Sequence, residues 1–147
     1  MPGTYDDIEV GDRVVTQGRT ITEADVMNFA GVSGDFNHIH TDAEAMAESG
    51  FGQRIAHGAL VFAAMTGLLW QSRGEEEREA VVAFYGVDHL RFINPCLIGD
   101  TIHVEREVIE KEPSDHPEAA GTVRYDIEAI NQDDEVVIAA EFISLLA

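Results

Sequence analysis

The stretch ALVFAAMTGLLW, residues 59–70, is an almost unbroken apolar run in which only Thr66 carries a side-chain oxygen. It is too short to cross a membrane as a helix, which takes roughly 20 apolar residues. It is also longer than the usual buried strand. We therefore predict a fully buried helix over 59–70. Gly74 and the charged run 75–79 predict a turn directly after it.

The part of the chain that follows this helix is predicted to form strands. Apolar residues alternate with polar ones most clearly from Val123 to Ala129, which is typical of a strand with one packed and one solvated face. Turn residues cluster at 113–117 and 131–134. Strands are expected over 80–85 and its continuation 87–92, 102–108, 123–129 and 136–145. The pattern predicts an α+β fold: one domain, 1–147, with a curved antiparallel sheet wrapped around one long buried helix.

Two further helices are predicted before the apolar run. Thr22 begins one of them, with acidic residues in its first turn, and Gly31 and Gly34 end it. The segment 41–44 has the pattern of a second capping box, followed by a short helix to about Ser49. The polar stretch DFNHIH, residues 35–40, is therefore placed on the connection between two helices.

Acidic residues dominate the composition: 28 Asp and Glu stand against nine Lys and Arg, and the formal net charge is -19. This charge argues against nucleic acid as a partner, and in dilute buffer it would also repel an anionic substrate. At molar salt the screening length falls to ~3 Å, so the composition favours a protein of a salt-rich cytoplasm.

Residues 1–7 lack the basic and apolar segments of a secretory signal, and no membrane partner is expected. The single cysteine, Cys96, excludes an internal disulfide and is expected to be buried.

Asp35 and His40 are candidate acid and base. A carboxylate and an imidazole near one another can hold a water molecule and move its proton. The residues alone leave two structural alternatives open: Asp35 bonding to nearby backbone amides, and His40 filling the edge of the sheet.

His57 and Gly58 stand where the buried helix is predicted to begin. The first amides of a helix have no internal partners and carry a positive partial charge, which suits a developing oxyanion. A glycine there lets a carbonyl group approach the backbone closely. The alternative is that Gly58 only relieves crowding at the helix entry.

Four segments together carry a family resemblance: DFNHIHTD at 35–42, FGQRIAHG at 51–58, Asn94-Pro95, and IGDTI at 98–102. They resemble the motifs of MaoC-like (R)-specific enoyl-CoA hydratases and acyl dehydratases. The resemblance implies a hot dog fold, a homodimer or higher homo-oligomer, and an acyl thioester of coenzyme A as substrate. It implies no other cofactor.

The resemblance also assigns roles. Asp35 and His40 would activate water, and the Gly58 amide would polarise the thioester carbonyl. Asn37 and His57 are expected among the substrate-binding residues, where they would orient the pair or brace its loop. Thr66 falls where relatives often carry serine, on the helix face toward the site, and would place the water or the acyl chain.

His38 departs from the pattern, because proline is common at this position in the family. The change adds a titratable group and creates the segment His38-Ile39-His40. Together with Asp35 and Asp42, these histidines resemble a set of metal ligands. We expect no metal, because the water-activating pair suffices.

The expected reaction is reversible hydration of a trans-2-enoyl-CoA to an (R)-3-hydroxyacyl-CoA. Two alternatives stay open at this point. A hot dog thioesterase would direct the water at the thioester carbonyl, and a non-catalytic subunit would only bind acyl-CoA.

Removing salt should weaken both folding and acyl-CoA binding, because surface repulsion and repulsion of the anionic coenzyme strengthen together. Thermal unfolding measured from molar down to about 0.1 M KCl should show a falling midpoint. A midpoint that stays constant over this range would remove the high-salt inference.

Overall fold

The computed structural model describes residues 3–147. Met1 and Pro2, which belong to the predicted domain and to the N-terminal stretch considered above, lie outside the described residues. A single 3-10 turn occupies Tyr5–Asp7. The helices are α1 (Glu23–Ser33), α2 (His38–Thr41), α3 (Ala43–Ala47), α4 (Gly58–Ser72) and α5 (Glu75–Ala80). The strands are β1 (Arg13–Val15), β2 (Arg19–Thr20), β3 (Val81–Phe92), β4 (Thr101–Pro113), β5 (Gly121–Ile130) and β6 (Val136–Leu146).

The strands form an antiparallel sheet in the order β1-β4-β5-β6-β3, with β2 also paired to β4. The predicted α+β architecture is confirmed, and β3 continues through both segments expected for it. The sequence did not indicate β1 and β2, which are too short to display a period of two. Among the strands of residues 3–147, β3 pairs only with β6, so it forms one edge of the sheet.

Helix α4 packs one face into the core formed with the sheet. Its buried residues are Leu60, Val61, Ala64, Met65, Leu68 and Leu69. The prediction of a fully buried helix is wrong, because Ala59, Ala63 and Trp70 are exposed in the single chain. A sheet covers only one side of a helix, and α4 is apolar on both sides, so periodicity could not separate the covered face from the open one.

Within residues 3–147, no helix combines the length and apolarity needed to cross a bilayer.

Helix α5 occupies the segment that was predicted as a turn. Three glutamates fill its first turn, where negative charge suits the helix dipole. Glu77 is buried and accepts a hydrogen bond from Arg106 Nη1 at 2.8 Å. Arg73 Nε lies 3.7 Å from the same carboxylate oxygen. The charged run therefore folds because two guanidinium groups from other elements meet its one buried carboxylate.

The N-terminal helices begin close to where they were expected. Thr22 caps α1 by accepting a hydrogen bond from the Asp25 amide at 3.2 Å. Gly34, with φ of 77°, ends the helix, whereas Gly31 lies inside it. The residue that caps α3 is Asp42, not Thr41, and its carboxylate accepts from the Ala45 amide. The predicted connection between these helices contains the one-turn helix α2.

Cys96 is buried, as expected. Burial first, and the nearby carboxylate of Asp100 second, raise the pKa of its thiol to about 12. The side chain is therefore an uncharged, apolar filling of the core at neutral pH.

Candidate active site

Asp35 lies on the loop between α1 and α2, with its side chain half exposed. The loop holds its backbone: the amide donates to Ser33 Oγ at 3.1 Å, and one carboxylate oxygen, Oδ1, accepts from the Asn37 amide at 3.1 Å. The second oxygen, Oδ2, faces His40. Asp35 thus bonds to a nearby backbone amide, which is the structural alternative that the sequence left open. Its second carboxylate oxygen still faces the imidazole of His40.

His40 is buried, and its surroundings fix which ring nitrogen carries the proton in the neutral form. Nδ1 lies 2.8 Å from the carbonyl oxygen of Ile55. A carbonyl oxygen can only accept, so Nδ1 donates and the lone pair remains on Nε2. Nε2 lies 3.7 Å from Asp35 Oδ2, beyond direct hydrogen-bond distance. Two acceptors at this spacing can share one water molecule that donates a hydrogen to each.

His57 lies behind this pair. Its ring stacks on that of His40 with centroids 3.7 Å apart, and the edge of Phe29 approaches at 4.9 Å. Its Nε2 donates to the Asp35 carbonyl at 2.9 Å, while Nδ1 is buried without a partner among residues 3–147. Only 2% of His57 is exposed, and its side chain touches both Asp35 and His40. This position fits a residue that orients the pair or braces its loop, and direct contact with substrate stays a prediction.

Asn37 is exposed, and its side-chain oxygen accepts from the Ile39 amide at 3.2 Å. This bond caps α2, the helix that carries His40. The residue therefore braces the loop and the imidazole together, the second of the two roles expected for it.

Gly58 is the first residue of α4. The preceding His57 makes no side-chain cap, so it leaves the first-turn amides free. A cavity of about 490 Å³, the Gly58 cavity, opens beside it. A Cβ on Gly58 would lie 2.7 Å from the ring of Phe92, which also lines this cavity. Both interpretations of Gly58 are therefore compatible with the structure. The glycine relieves crowding against Phe92, and it leaves the backbone accessible from an open cavity.

Thr66 lies further along α4 than Gly58. Eight residues separate the two, which is about 12 Å along a straight helix, and the Thr66 hydroxyl donates to the Ala63 carbonyl at 2.6 Å. Thr66 lines a second cavity of about 370 Å³, the Thr66 cavity. Its expected role, to place the water or the acyl chain, stays a prediction.

The set of possible metal ligands differs from the one considered from the sequence. Asp35, His40 and His57 place ligand atoms within 4.8 Å of one another, whereas His38 is exposed and not part of the group. Ligand bonds to zinc of ~2.0–2.2 Å require closer spacing. His57 Nε2 already donates to the Asp35 carbonyl, so it has no lone pair for a metal. The arrangement suits a shared water better than a cation.

Two contributors to the site had no signal in the sequence. The Ile55 carbonyl sets the His40 tautomer, but any residue has a carbonyl. Phe92 reaches Gly58 only because β3 ends beside the start of α4, which is a property of the tertiary fold.

A curved antiparallel sheet around a central helix defines a hot dog fold protein. Comparison with known protein families shows which family the chain belongs to. The chain belongs to the MaoC like domain family, whose model matches residues 7–130.

Three relatives show the breadth of this similarity. Protein MaoC of Klebsiella aerogenes is 44% identical over 100 residues, which are 68% of this chain and 29% of that protein. The chain therefore spans less than a third of that relative. The (R)-specific enoyl-CoA hydratase of Aeromonas caviae is 32% identical over 117 residues, covering 80% and 82% of the two chains. The solved monoamine oxidase regulatory protein of Archaeoglobus fulgidus is 36% identical, with TM-score 0.89 and coverage of 99% and 94%.

Replacing Gly58 by alanine should displace the Phe92 ring and lower the free energy of unfolding by about 1 kcal/mol. Gly31→Ala is the matched control, because Gly31 is exposed within α1 and a Cβ there meets nothing within 4 Å; it should stabilise by up to ~1 kcal/mol. Denaturant unfolding at high KCl measures both variants. Equal changes in the two would show that Phe92 does not crowd Gly58.

Proposed function

We propose that the protein catalyses reversible hydration of a trans-2-enoyl-CoA to an (R)-3-hydroxyacyl-CoA. The observation that carries the proposal is the pair of acceptors, His40 Nε2 and Asp35 Oδ2, held 3.7 Å apart. Neither can donate to the other when His40 is neutral and Asp35 ionised, so the gap between them selects a molecule with two hydrogens to donate.

Water held in this way has its oxygen lone pairs directed away from both residues, toward an electrophile. As its oxygen bonds to the β-carbon, one proton passes to Asp35, and the other remains on the new hydroxyl group. The proton taken up by the pair is then delivered to the α-carbon, which completes the addition of one water. Positioning the water in advance removes much of the entropic cost of the step.

Negative charge gathers on the thioester oxygen as the water attacks. The free first-turn amides of α4, with Gly58 foremost, are placed to receive it, and one such donor is typically worth ~3 kcal/mol. His57 connects the two halves of the site, because its side chain supports Asp35 and His40 while its backbone leads directly into Gly58.

The similarity to the Aeromonas caviae hydratase, which extends over most of both chains, supports this choice of reaction. The thioesterase alternative requires attack at the thioester carbonyl, the group that the Gly58 amide is proposed to hold. The two reactions differ in product: a thioesterase releases free coenzyme A thiol, and a hydratase does not.

Asp35→Asn and His40→Ala should each lower hydration of crotonyl-CoA by at least about 100-fold, followed as loss of the enoyl chromophore at high KCl. The exposed His38 serves as the control, since His38→Ala should stay within about twofold of the unmodified protein. A thiol reagent in a parallel assay should detect no release of coenzyme A. Hydration at the unmodified rate by both site variants would overturn the assignment.

We also propose that the protein acts as a homodimer through the β3 edge and the open face of α4. The edge strand leaves backbone donors and acceptors unpaired along its outer side. Large apolar side chains lie exposed beside it: Trp70, Phe84, Tyr85 and Phe92 are 48%, 50%, 66% and 57% exposed. An apolar surface of this extent is typical of an interface. A second copy offers the same edge and the same small-residue stripe at Ala59 and Ala63.

Light scattering after gel filtration at high KCl should give twice the chain mass of 16.1 kDa. The double variant Trp70→Glu, Tyr85→Glu should run as a monomer, because buried like charges at a two-fold interface repel. Val32→Glu is the control, since Val32 is 86% exposed on α1, away from the edge. A dimer that survives in the double variant would place the interface elsewhere.

A further inference from the structure

A cluster of buried charged side chains lies at the far end of α4 from the candidate active site. Arg73 directly follows α4, and Glu77 belongs to α5. Arg106 and Tyr125 come from the neighbouring strands β4 and β5. The three charged side chains are at most 10% exposed, and Tyr125 is buried. The proposed hydration uses none of these four residues.

The cluster carries one more positive charge than negative charge. Glu77 Oε1 accepts from Arg106 Nη1 at 2.8 Å and lies 3.7 Å from Arg73 Nε, so one carboxylate meets two guanidinium groups. Arg73 Nη1 is buried without a partner among residues 3–147. Burial is the largest cause that lowers the pKa of Arg73. Because a buried charge is costly unless it is paired, the cluster is suited to a further negative group.

Tyr125 adds a second donor without a partner. The Arg106 guanidinium lies over its ring, with Cζ 4.8 Å from the ring centroid. The Tyr125 hydroxyl is buried and makes no hydrogen bond within the described part of the chain, although buried hydroxyls are normally bonded. Burial, as the largest cause, raises the pKa of this phenol. The hydroxyl therefore keeps its proton at neutral pH and is able to donate.

A cavity of about 110 Å³, the Arg106 cavity, is lined by Arg106, Tyr125 and Glu77. One water molecule needs only ~10–15 Å³ of such space, so the cavity has room for a larger particle. Asp12 and Arg13 also line it, and their opposite formal charges leave the excess of the cluster unchanged. The three remaining side chains of the wall are aliphatic. The cavity thus combines donors, a positive charge and an apolar surface.

The Arg106 cavity is open at the β1 end of the sheet. Arg13 belongs to β1 and is exposed, which gives a small ion a path from solvent. Strand β3, the edge proposed for the dimer, lies at the opposite end of the strand order. A second copy bound at β3 would therefore leave this cavity accessible.

We propose that the Arg106 cavity binds one monovalent inorganic anion, which is chloride in KCl solutions. The Tyr125 hydroxyl donates to the ion, and so does Arg106, which has N–H donors besides the one that binds Glu77. Arg73 lines the Thr66 cavity instead, so it contributes the excess charge and no contact. A water molecule would satisfy the hydroxyl but would leave that charge unbalanced.

The acidic surface opposes this binding only at low salt. The formal net charge of -19 repels anions over long distances. At molar salt that repulsion is screened within ~3 Å, whereas direct contacts in the cavity persist. Glu105 and Glu107 flank Arg106 in β4, but alternate residues of a strand point to opposite faces. Their carboxylates are therefore on the other side of the sheet from the cavity.

Chloride should stabilise the fold at constant ionic strength. In potassium salts at about 1 M, the midpoint of thermal unfolding should rise as chloride replaces glutamate, because an ion that binds only the folded state stabilises it. Tyr125→Phe should lose most of this rise, since it removes only the hydroxyl. Tyr85→Phe is the matched control, which loses the same group from an exposed position and should keep the rise. General effects of the salts act on both variants, so an equal rise in the two would overturn the proposal.

The order of stability should also change between the two salts. In glutamate, Tyr125→Phe should be at least as stable as the unmodified protein, because it removes a buried hydroxyl without a partner. In chloride it should be less stable. Arg73→Gln removes the excess charge and should abolish the dependence on chloride, while Arg73→Lys should retain it in part. A dependence that is undiminished in Arg73→Gln would refute the role of the excess charge and with it the proposal.

Diffraction from crystals grown in KBr identifies the occupant directly. Bromide gives an anomalous signal that water lacks, and it should appear within hydrogen-bond distance of the Arg106 guanidinium and the Tyr125 hydroxyl. Water alone at this position, with bromide bound elsewhere or not at all, would overturn the proposal. None of these measurements requires hydration of an acyl-CoA, so their outcome is independent of the proposed function.

Discussion

Burial of one face of α4 against the curved sheet is the constraint on which the rest of the structure depends. The helix is apolar all round, and its covered face supplies much of the core. Packing of this face fixes the position of the first turn of α4. That turn carries the backbone amides proposed to bind the thioester, and the first of them belongs to Gly58. The same packing also fixes His57, the residue directly before the helix, which is held between the rings of Phe29 and His40. Apolar packing thus positions the residue that supports the polar pair, and hydrogen bonds of the loop position the pair itself.

The site itself is an arrangement of unmatched acceptors. The Ile55 carbonyl holds the proton of neutral His40 on Nδ1, and the Asn37 amide occupies one oxygen of Asp35. What remains is one lone pair and one carboxylate oxygen facing each other across 3.7 Å. Two acceptors cannot bond to each other, so each needs a donor from outside the pair. This need is what makes the pair suitable for water.

The sequence predicted the long elements well, because each has a periodic or strongly apolar pattern of its own. It failed where an element depends on distant partners. The run 75–79 is helical because Arg106 and Arg73 reach Glu77 from β4 and the end of α4, and β1 and β2 exist through pairing with β4. In the site, Asp35, His40 and His57 come together as a motif would suggest. The motif does not record burial, which places the His57 ring against the ring of His40 and away from solvent.

Strand β3 contributes both to the Gly58 and Thr66 cavities and to the exposed edge of the sheet. Its two ends line both cavities, and its outer edge is the surface offered to a second copy. A substitution on this strand that reshapes a cavity therefore also alters the surface proposed for the dimer, and one that adapts that surface also alters a cavity. The two properties would then evolve together, whereas a side chain of β6 can change a cavity without reaching the edge.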